Sequence, residues 1–189
     1  MSHRTPRPAL QQRLAEAILE AAARVLVSHG EQASMSDMAA AAGVARATVY
    51  RYFPSREALL RELADLAAAE AAARLDAARL AEVPVEEGVT RAIRALADVG
   101  NYFVVLVRDY ARQAELVERR LAAPLHRLME RGQGEGSIRA DIAPSLLVAS
   151  LVGLVANVLA AAPPIGKEDM IVALNSLFLD GARPPTVAR

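Results

Sequence analysis

The sequence predicts an all-α protein: a three-helix head at the N-terminal end and a larger helical bundle after it, with about nine helices in total. Three observations favour this fold class. Hydrophobic residues make up 53% of the chain and aromatic residues only 4%, and a composition rich in alanine and leucine suits helices. Apolar residues recur every three or four positions. Alternating β-branched runs, which would indicate strands, are few.

Composition narrows the possible classes of function. The chain has no cysteine, which excludes disulfides and cysteine-based zinc sites and fits a reducing cytoplasm. Basic and acidic residues balance at 22 each, so the net charge is +0. The N-terminal part nevertheless has more arginine than acid, and a basic end favours nucleic acid. These arginines are Arg4, Arg7, Arg13, Arg24, Arg46, Arg51 and Arg56.

The first helix is expected from Leu10 to His29, after a flexible basic tail over residues 1–9. Leu10, Leu14 and Ile18 repeat at helical spacing. Gly30 is expected to stop the helix, and His29 near its end favours the helix dipole. The tail lacks the apolar stretch of a signal peptide. It is either a disordered segment or a basic arm beside DNA.

Residues 34–56 begin with a short helix and a tight turn. Ser34 and Asp37 have the spacing of a capping box at a helix start. Gly43 stands where a helix ends in a left-handed residue. Val44 is expected to be buried in the turn that follows.

A second short helix is expected over residues 45–53, closed by Pro54. Val49 and Phe53 are four residues apart and face inward together. The outer side carries arginine, threonine and tyrosine. Two short helices with this turn predict a helix-turn-helix, although an ordinary corner of a helical protein gives the same pattern.

The fuller string, AAAAGVARATVYRYFPSREALL, resembles the DNA-binding signature of the TetR family of transcriptional regulators. The resemblance is specific over about residues 10 to 64. One departure is Arg56, where the family usually has lysine; both are cations, so a phosphate contact survives. The residues that carry the resemblance are Ala39, Gly43, Val44, Thr48, Tyr50, Tyr52, Phe53, Ser55, Glu57, Ala58 and Leu59.

This resemblance implies a DNA-binding regulator, and residue chemistry suggests the contacts. Arginine pairs with guanine, while alanine and the threonine methyl suit a thymine methyl. Tyrosine and arginine also position a protein through phosphates. The predicted base-edge residues are Arg46, Ala47, Thr48 and Arg51; the predicted phosphate contacts are Tyr50, Tyr52 and Arg56; Ser36 completes the predicted DNA-binding set.

A long fourth helix is expected from Ser55, as its N-cap, to about Leu80. Its stripe is Leu59, Leu63 and Leu66, and its length makes it a rigid connector out of the head. The next helix starts at Pro84 with a stripe of Val89, Ile93 and Leu96. Its two acids, Glu86 and Glu87, point apart on a helix and suit a helix start rather than catalysis.

The middle of the chain offers candidate pocket residues. Residues 101–112 carry an aromatic face that is either core packing or the wall of a small-molecule pocket. A helix from Glu115 to Gly132 is expected to kink at Pro124, and Gly132, Gly134 and Gly136 are expected to form a flexible turn. The predicted pocket residues are Tyr102, Leu106, Tyr110, His126 and Asn157.

The C-terminal end is strongly apolar. Residues 142–165 contain no charged side chain, which by length alone also suits a membrane span. Ala149, Gly153 and Asn157 recur every four residues and allow close helix approach. The last helix, Glu168 to about Ala182, is expected to carry Met170, Leu174, Leu177 and Phe178 on one side. In the TetR family the last two helices form the dimer interface, so the resemblance implies a homodimer and no membrane.

The favoured function is therefore a dimeric, sequence-specific transcriptional regulator, a repressor released from palindromic operator DNA by an unknown small apolar or amphipathic effector. The predicted domains are 10–54 for DNA binding and 55–183 for ligand binding and dimerisation, with a tail over 184–189. No cofactor, metal or catalytic residue is expected, because no hydrolase, nucleotide-loop or metalloprotease motif occurs. The alternatives are a helical small-molecule-binding protein or enzyme without a DNA role, and a membrane-anchored helical protein.

Overall fold

The computed structural model describes residues 9–108 and 121–184, which contain nine α-helices and no strand. The predicted all-α class is thereby confirmed. Four features of the sequence analysis lie outside the described part: the tail up to residue 8, the candidate residue Tyr110, the start of the helix expected at Glu115, and the tail after residue 184. The helices are α1 (Ala9–His29), α2 (Met35–Ala41), α3 (Arg46–Tyr52), α4 (Arg56–Ala77), α5 (Val85–Ala97), α6 (Asn101–Arg108), α7 (Ala123–Glu135), α8 (Pro144–Ala161) and α9 (Lys167–Ala182).

The chain divides into two compact units, one ending at Leu63 and the other beginning at Ala64. The division falls within α4, nine residues after the expected end of the DNA-binding domain. In the first unit, α1 packs on α2 and α2 on α3. Its core is built on Ile18, Met38 and Phe53, each almost fully buried. Leu10, predicted on the buried stripe of α1, is instead 80% exposed because it lies in the first turn, beyond that core.

The two short helices of the first unit form as their local sequence predicts. Asp37 N–H donates to Ser34 Oγ at 3.2 Å, and Ser34 N–H donates to the Asp37 carboxylate at 2.9 Å, which completes the capping box. Gly43 follows α2 with φ +66°, and a Cβ there would have nothing within 4 Å. Val44, predicted to be buried, is only half-buried, since the turn lies at the surface.

Helix α4 starts at the predicted place but ends earlier than predicted. Ser55 Oγ accepts a hydrogen bond from Ala58 N–H at 3.1 Å, so Ser55 is the expected N-cap. The helix ends at Ala77, because Arg79 takes the left-handed conformation with φ 49° and ψ 52°. A 3-10 turn, Leu80–Glu82, leads from there to α5.

Helix α5 lies at the centre of the second unit, in contact with α7, α8 and α9. The predicted stripe of Val89, Ile93 and Leu96 is fully buried. On the opposite side, Glu87 accepts from Arg91 Nη2 at 2.6 Å, as a solvated partner rather than a catalytic acid. Arg94 holds Glu168 at the start of α9 through two hydrogen bonds, of 2.5 and 2.7 Å, and this lowers the pKa of the Glu168 carboxyl.

Helix α7 corrects one expectation and leaves another as a prediction. Pro124 lies in its first turn, directly after a π-helical turn at Leu121 and Ala122. The kink predicted at Pro124 involves the residues before 121, which lie outside the described part, so it stays a prediction. Gly132 and Gly134 lie inside the helix rather than in a turn, and the chain turns only at Gly136, with φ +75°. Position 132 has no room for a side chain, because the backbone of α7 passes close to a neighbouring residue: a Cβ there would lie 2.5 Å from Ile138 Cγ1.

The two glycines of α7 are expected to respond oppositely to alanine. Gly132→Ala should lower the free energy of unfolding by about 1–3 kcal/mol, because its Cβ would overlap Ile138 and Val85. Gly134→Ala should raise it by about 0.4–1 kcal/mol, since that Cβ has open space and alanine restricts the unfolded chain. Urea denaturation of both variants measures the two signs. Equal effects would contradict the close approach at Gly132.

Helix α8 turns one face away from the unit. Leu147, Leu151 and Val155 are buried, whereas Leu146 is 58% exposed. Among the described residues α8 is the single helix long and apolar enough to cross a membrane by length and composition, with a mean hydropathy of 2.0 and 28% of its 18 residues buried. The predicted small-residue stripe lies on the outward side: Ala149 and Asn157 are exposed and Gly153 is half-buried.

Helix α9 buries three of its four predicted stripe residues. Met170, Leu174 and Phe178 are buried within this chain, whereas Leu177 is 65% exposed. Ile171 and Leu179 complete the buried side instead. Leu177 therefore lies at the edge of an apolar surface that this chain alone leaves uncovered.

Candidate nucleic-acid interface

Helix α3 is held to the first unit by one side, and this fixes which residues it can present. Val49 and Phe53 are 0% and 1% exposed, respectively. The extended backbone of Ala45 starts the helix and that of Phe53 ends it. With seven residues and no side-chain cap at its start, α3 depends on this burial, because short helices are marginal by themselves.

The outward side of α3 carries the predicted DNA-contacting residues. Arg46, Ala47, Tyr50 and Arg51 are exposed, and Thr48 and Tyr52 are half-buried. One helix face thus presents two guanidinium groups, a methyl group and phenol hydroxyls to solvent. A helix of this kind reads base edges when it enters a major groove.

Both arginines of α3 are placed by tyrosines. Arg46 Nη2 donates to Tyr50 Oη at 3.2 Å, and its guanidinium carbon lies 5.3 Å from the centre of the Tyr50 ring. Arg51 lies over the Tyr52 ring at 5.4 Å. Cation–π contact of this kind restricts a flexible side chain before it binds. The spacing of four between Arg46 and Tyr50 is a sequence signal for this pair that our sequence reasoning missed.

Arg56 has a structural partner in this unit. Its Nε donates to the Ala33 carbonyl at 3.2 Å and its Nη2 to the Glu31 carbonyl at 3.5 Å. These bonds join the start of α4 to the turn that precedes α2. The predicted phosphate contact of Arg56 would thus be made by a guanidinium that is already positioned.

Ser36, the last residue of the predicted DNA-binding set, is exposed in the first turn of α2, one residue before the capping acid.

The capping acid of α2 is Asp37. The Ser34 side chain and then the Ser34 backbone donate hydrogen bonds that lower the pKa of the Asp37 carboxyl. A lowered pKa means that the cap is complete above the ordinary value of 3.8 and is lost as pH falls through the folded value. The cap of α2 is therefore intact at neutral pH.

The residues predicted for a small-molecule pocket do not share one environment. Leu106 is fully buried, Tyr102 and His126 are half-buried, and Asn157 is exposed on α8. Leu106 therefore packs in the core of the second unit. Among the described residues, no group of three or more His, Asp or Glu is placed to hold a metal ion.

Comparisons with known proteins bear on this helix pair. Residues 18–63 match the family model of the bacterial regulatory proteins of the tetR family. The chain is 36% identical over 113 residues to the HTH-type transcriptional repressor LfrR of Mycolicibacterium smegmatis. That match covers 60% of this chain and 58% of the relative, so the chain spans less than two thirds of that protein.

Solved structures agree over a longer stretch. The crystal structure of the TetR-like regulator LfrR from Mycobacterium smegmatis in complex with proflavine superposes with a TM-score of 0.73 and 26% identity, over 94% of this chain and 100% of that chain. A TetR-like regulator from Rhodococcus sp. RHA1 gives 0.65 and 25%, over 94% and 98% of the two chains.

Proposed function

Because the chain belongs to the TetR family of bacterial transcriptional regulators, we propose that it is a dimeric repressor that binds a palindromic operator in the cytoplasm and is released by a small apolar or amphipathic ligand. The family consists of regulators and not of enzymes. The observation that carries the proposal is α3, whose buried side anchors it while arginine, threonine and tyrosine face outward.

The ligand-responsive part of the proposal has support of its own. A relative of similar fold was crystallised with proflavine, and the second unit of this chain consists of helices around α5, an arrangement that can enclose a small molecule. A ligand releases DNA only if it binds the DNA-free geometry more tightly than the DNA-bound one.

The dimeric part rests on the last two helices. The outward side of α8 carries small residues, and Leu146, Val172 and Leu177 are exposed apolar side chains on α8 and α9. A twofold dimer built on these helices would present two copies of α3 to half-sites about one helical turn or somewhat more apart.

Arg46→Ala tests the DNA-binding proposal. The full chain should bind a DNA fragment from beside its own gene, and Arg46→Ala should weaken that binding about fivefold to 150-fold, the cost of one base-reading arginine. Fluorescence anisotropy at fixed salt concentration measures both affinities. A wild-type chain that binds none of this DNA would contradict the proposal.

Arg24→Ala is the matched control. Arg24 is an exposed arginine of α1 in the same unit, paired with Glu20 at 2.9 Å. Its removal should leave the affinity within about twofold, since exposed ion pairs contribute little. Equal losses in the two variants would show that only total charge matters, contrary to sequence-specific reading by α3.

A further inference from the structure

A cleft in the second unit is separate from all the residues predicted for the effector pocket. It has a volume of about 310 Å³ and lies where the end of α4, the 3-10 turn and α7 meet. Its floor is apolar: Leu75 and Leu128 are 2% exposed and Leu80 is 7% exposed. Both the size and the apolar floor suit a small molecule.

Two arginines from successive turns of α7 line this cleft. Arg131 is held in place, because its Nη2 donates to the Leu80 and Val83 carbonyls, both at 2.9 Å. Arg127, four residues earlier, is exposed and makes no hydrogen bond or ion pair with the residues that the structure describes. One guanidinium is thus fixed beside the floor and the other is available to a ligand.

The remaining charges leave the cleft positive. Arg79 donates to Glu82 at 3.2 Å, so these two neutralise each other. Asp76 is the one lining acid without such a partner among the described residues, and it opposes Arg127 and Arg131. Three lining arginines against two lining acids give the lining an excess of one positive charge. Glu135 does not line the cleft but lies 3.9 Å from Arg131 Nη1, so the unpaired positive charge is mainly that of Arg127.

Arg79 also bends the backbone at the edge of the cleft. Its φ of 49° and ψ of 52° are a left-handed conformation, which residues with a side chain rarely adopt. Such conformations persist where the surrounding structure enforces them, and they occur often at ligand-binding sites. Here the bend ends α4 and directs the chain into the 3-10 turn, where Leu80 forms part of the floor of the cleft.

We infer that this cleft binds an amphipathic anion, a carboxylate or phosphate group with an apolar chain. The anionic group contacts Arg127 and Arg131, and the chain lies on Leu75, Leu80 and Leu128. This inference names a ligand class for the regulator proposed above and rests on that proposal only for the regulatory consequence. Binding itself is a property of the second unit and is measured without DNA.

Isothermal titration of the full chain with four eight-carbon probes and with the aromatic cation proflavine tests the inference. Octanoate and octyl phosphate, which separate the two anionic groups, should bind, at least one of them about fivefold or more tighter than octanol. Octylammonium and proflavine supply the cationic comparison. Octanol binding as tightly as both anions, or octylammonium binding more tightly than they do, would overturn the inference.

Two variants that each remove one charge from the cleft should change the affinity for the anion in opposite directions. Arg127→Gln should weaken binding of the preferred anion about threefold to fivefold, and Asp76→Asn should tighten it by a similar or smaller factor, as expected for partly exposed charges. Arg61→Gln, which removes an exposed arginine of the first unit, should change nothing. Reversed signs, or no effect of Arg127→Gln, would overturn the assignment. Anion binding by a chain that fails to bind operator DNA would instead contradict the proposed function alone.

Discussion

Phe53→Ala is expected to unfold the first unit while the second unit stays folded. Phe53 is 1% exposed and is among the largest fully buried side chains of the chain. Removing a buried phenylalanine costs about 3–5 kcal/mol, which is most of the stability available to a small domain. Hydrogen–deuterium exchange of peptides covering residues 35–53 of the full chain should show loss of protection.

Tyr50→Ala is the control for this variant. Tyr50 is also an aromatic residue of α3, but it is 37% exposed and its ring contacts Arg46. Its removal should leave the protection of α2 and α3 nearly unchanged while it lowers DNA affinity. Retained protection in Phe53→Ala would mean that α3 is not anchored by this ring.

Ala149→Glu is expected to convert a dimer into a monomer. Ala149 lies on the outward side of α8, where the chain itself leaves it exposed, so glutamate should not disturb the fold of one chain. In a close helix–helix interface the carboxylate would be buried without a partner, at a cost of about 3–5 kcal/mol. Sedimentation velocity at micromolar protein concentration measures the change of mass.

The same variant should also bind operator DNA far more weakly, by about a hundredfold or more, because two linked heads gain from effective concentration. Ala69→Glu, at an exposed position of α4, is the matched control and should remain a dimer with normal DNA affinity. A wild-type chain that sediments as a monomer would refute the proposed interface.

The structure of the first unit could be predicted from the sequence better than that of the second, because interactions between residues close together in the chain determine it. The Ser34–Asp37 capping box and the left-handed Gly43 are set by neighbours in the chain. The inward side of α3 follows from a spacing of four between two apolar residues. These features require no knowledge of what packs from elsewhere.

The structure of the second unit differs from the sequence-based predictions at positions where contacts between residues distant in the chain determine the conformation. The glycines at 132 and 134 predicted a turn from their low helix propensity. Both lie inside α7 instead, and the missing side chain of Gly132 lets Ile138 and Val85 pack closely against the helix backbone. Leu177 was assigned to one side of α9 with Met170, Leu174 and Phe178 from spacing alone. At about 100° per residue, Leu177 lies about 20° from Met170 but about 100° from Phe178, so it falls at the edge of the side that these residues share.

The candidate site was partly predictable for a related reason. Outward residues of α3 can be identified once its two anchors are known. The contacts of Arg56 to the Ala33 and Glu31 carbonyls join residues more than 20 positions apart, and no periodicity reveals them. The cleft beside Arg127 likewise depends on a backbone bend at Arg79 that no residue-type rule predicts.

The residues that position 43 tolerates are limited by its left-handed backbone conformation and not by the space around it. Its backbone has φ +66°, yet a methyl group at that position would meet no atom within 4 Å. Substitutions there should therefore rank by how well each residue type tolerates a left-handed backbone, with asparagine and aspartate ahead of valine and isoleucine. Evolution of the turn between α2 and α3 is thus constrained by the chirality of the amino acids, even though the space around the turn is empty.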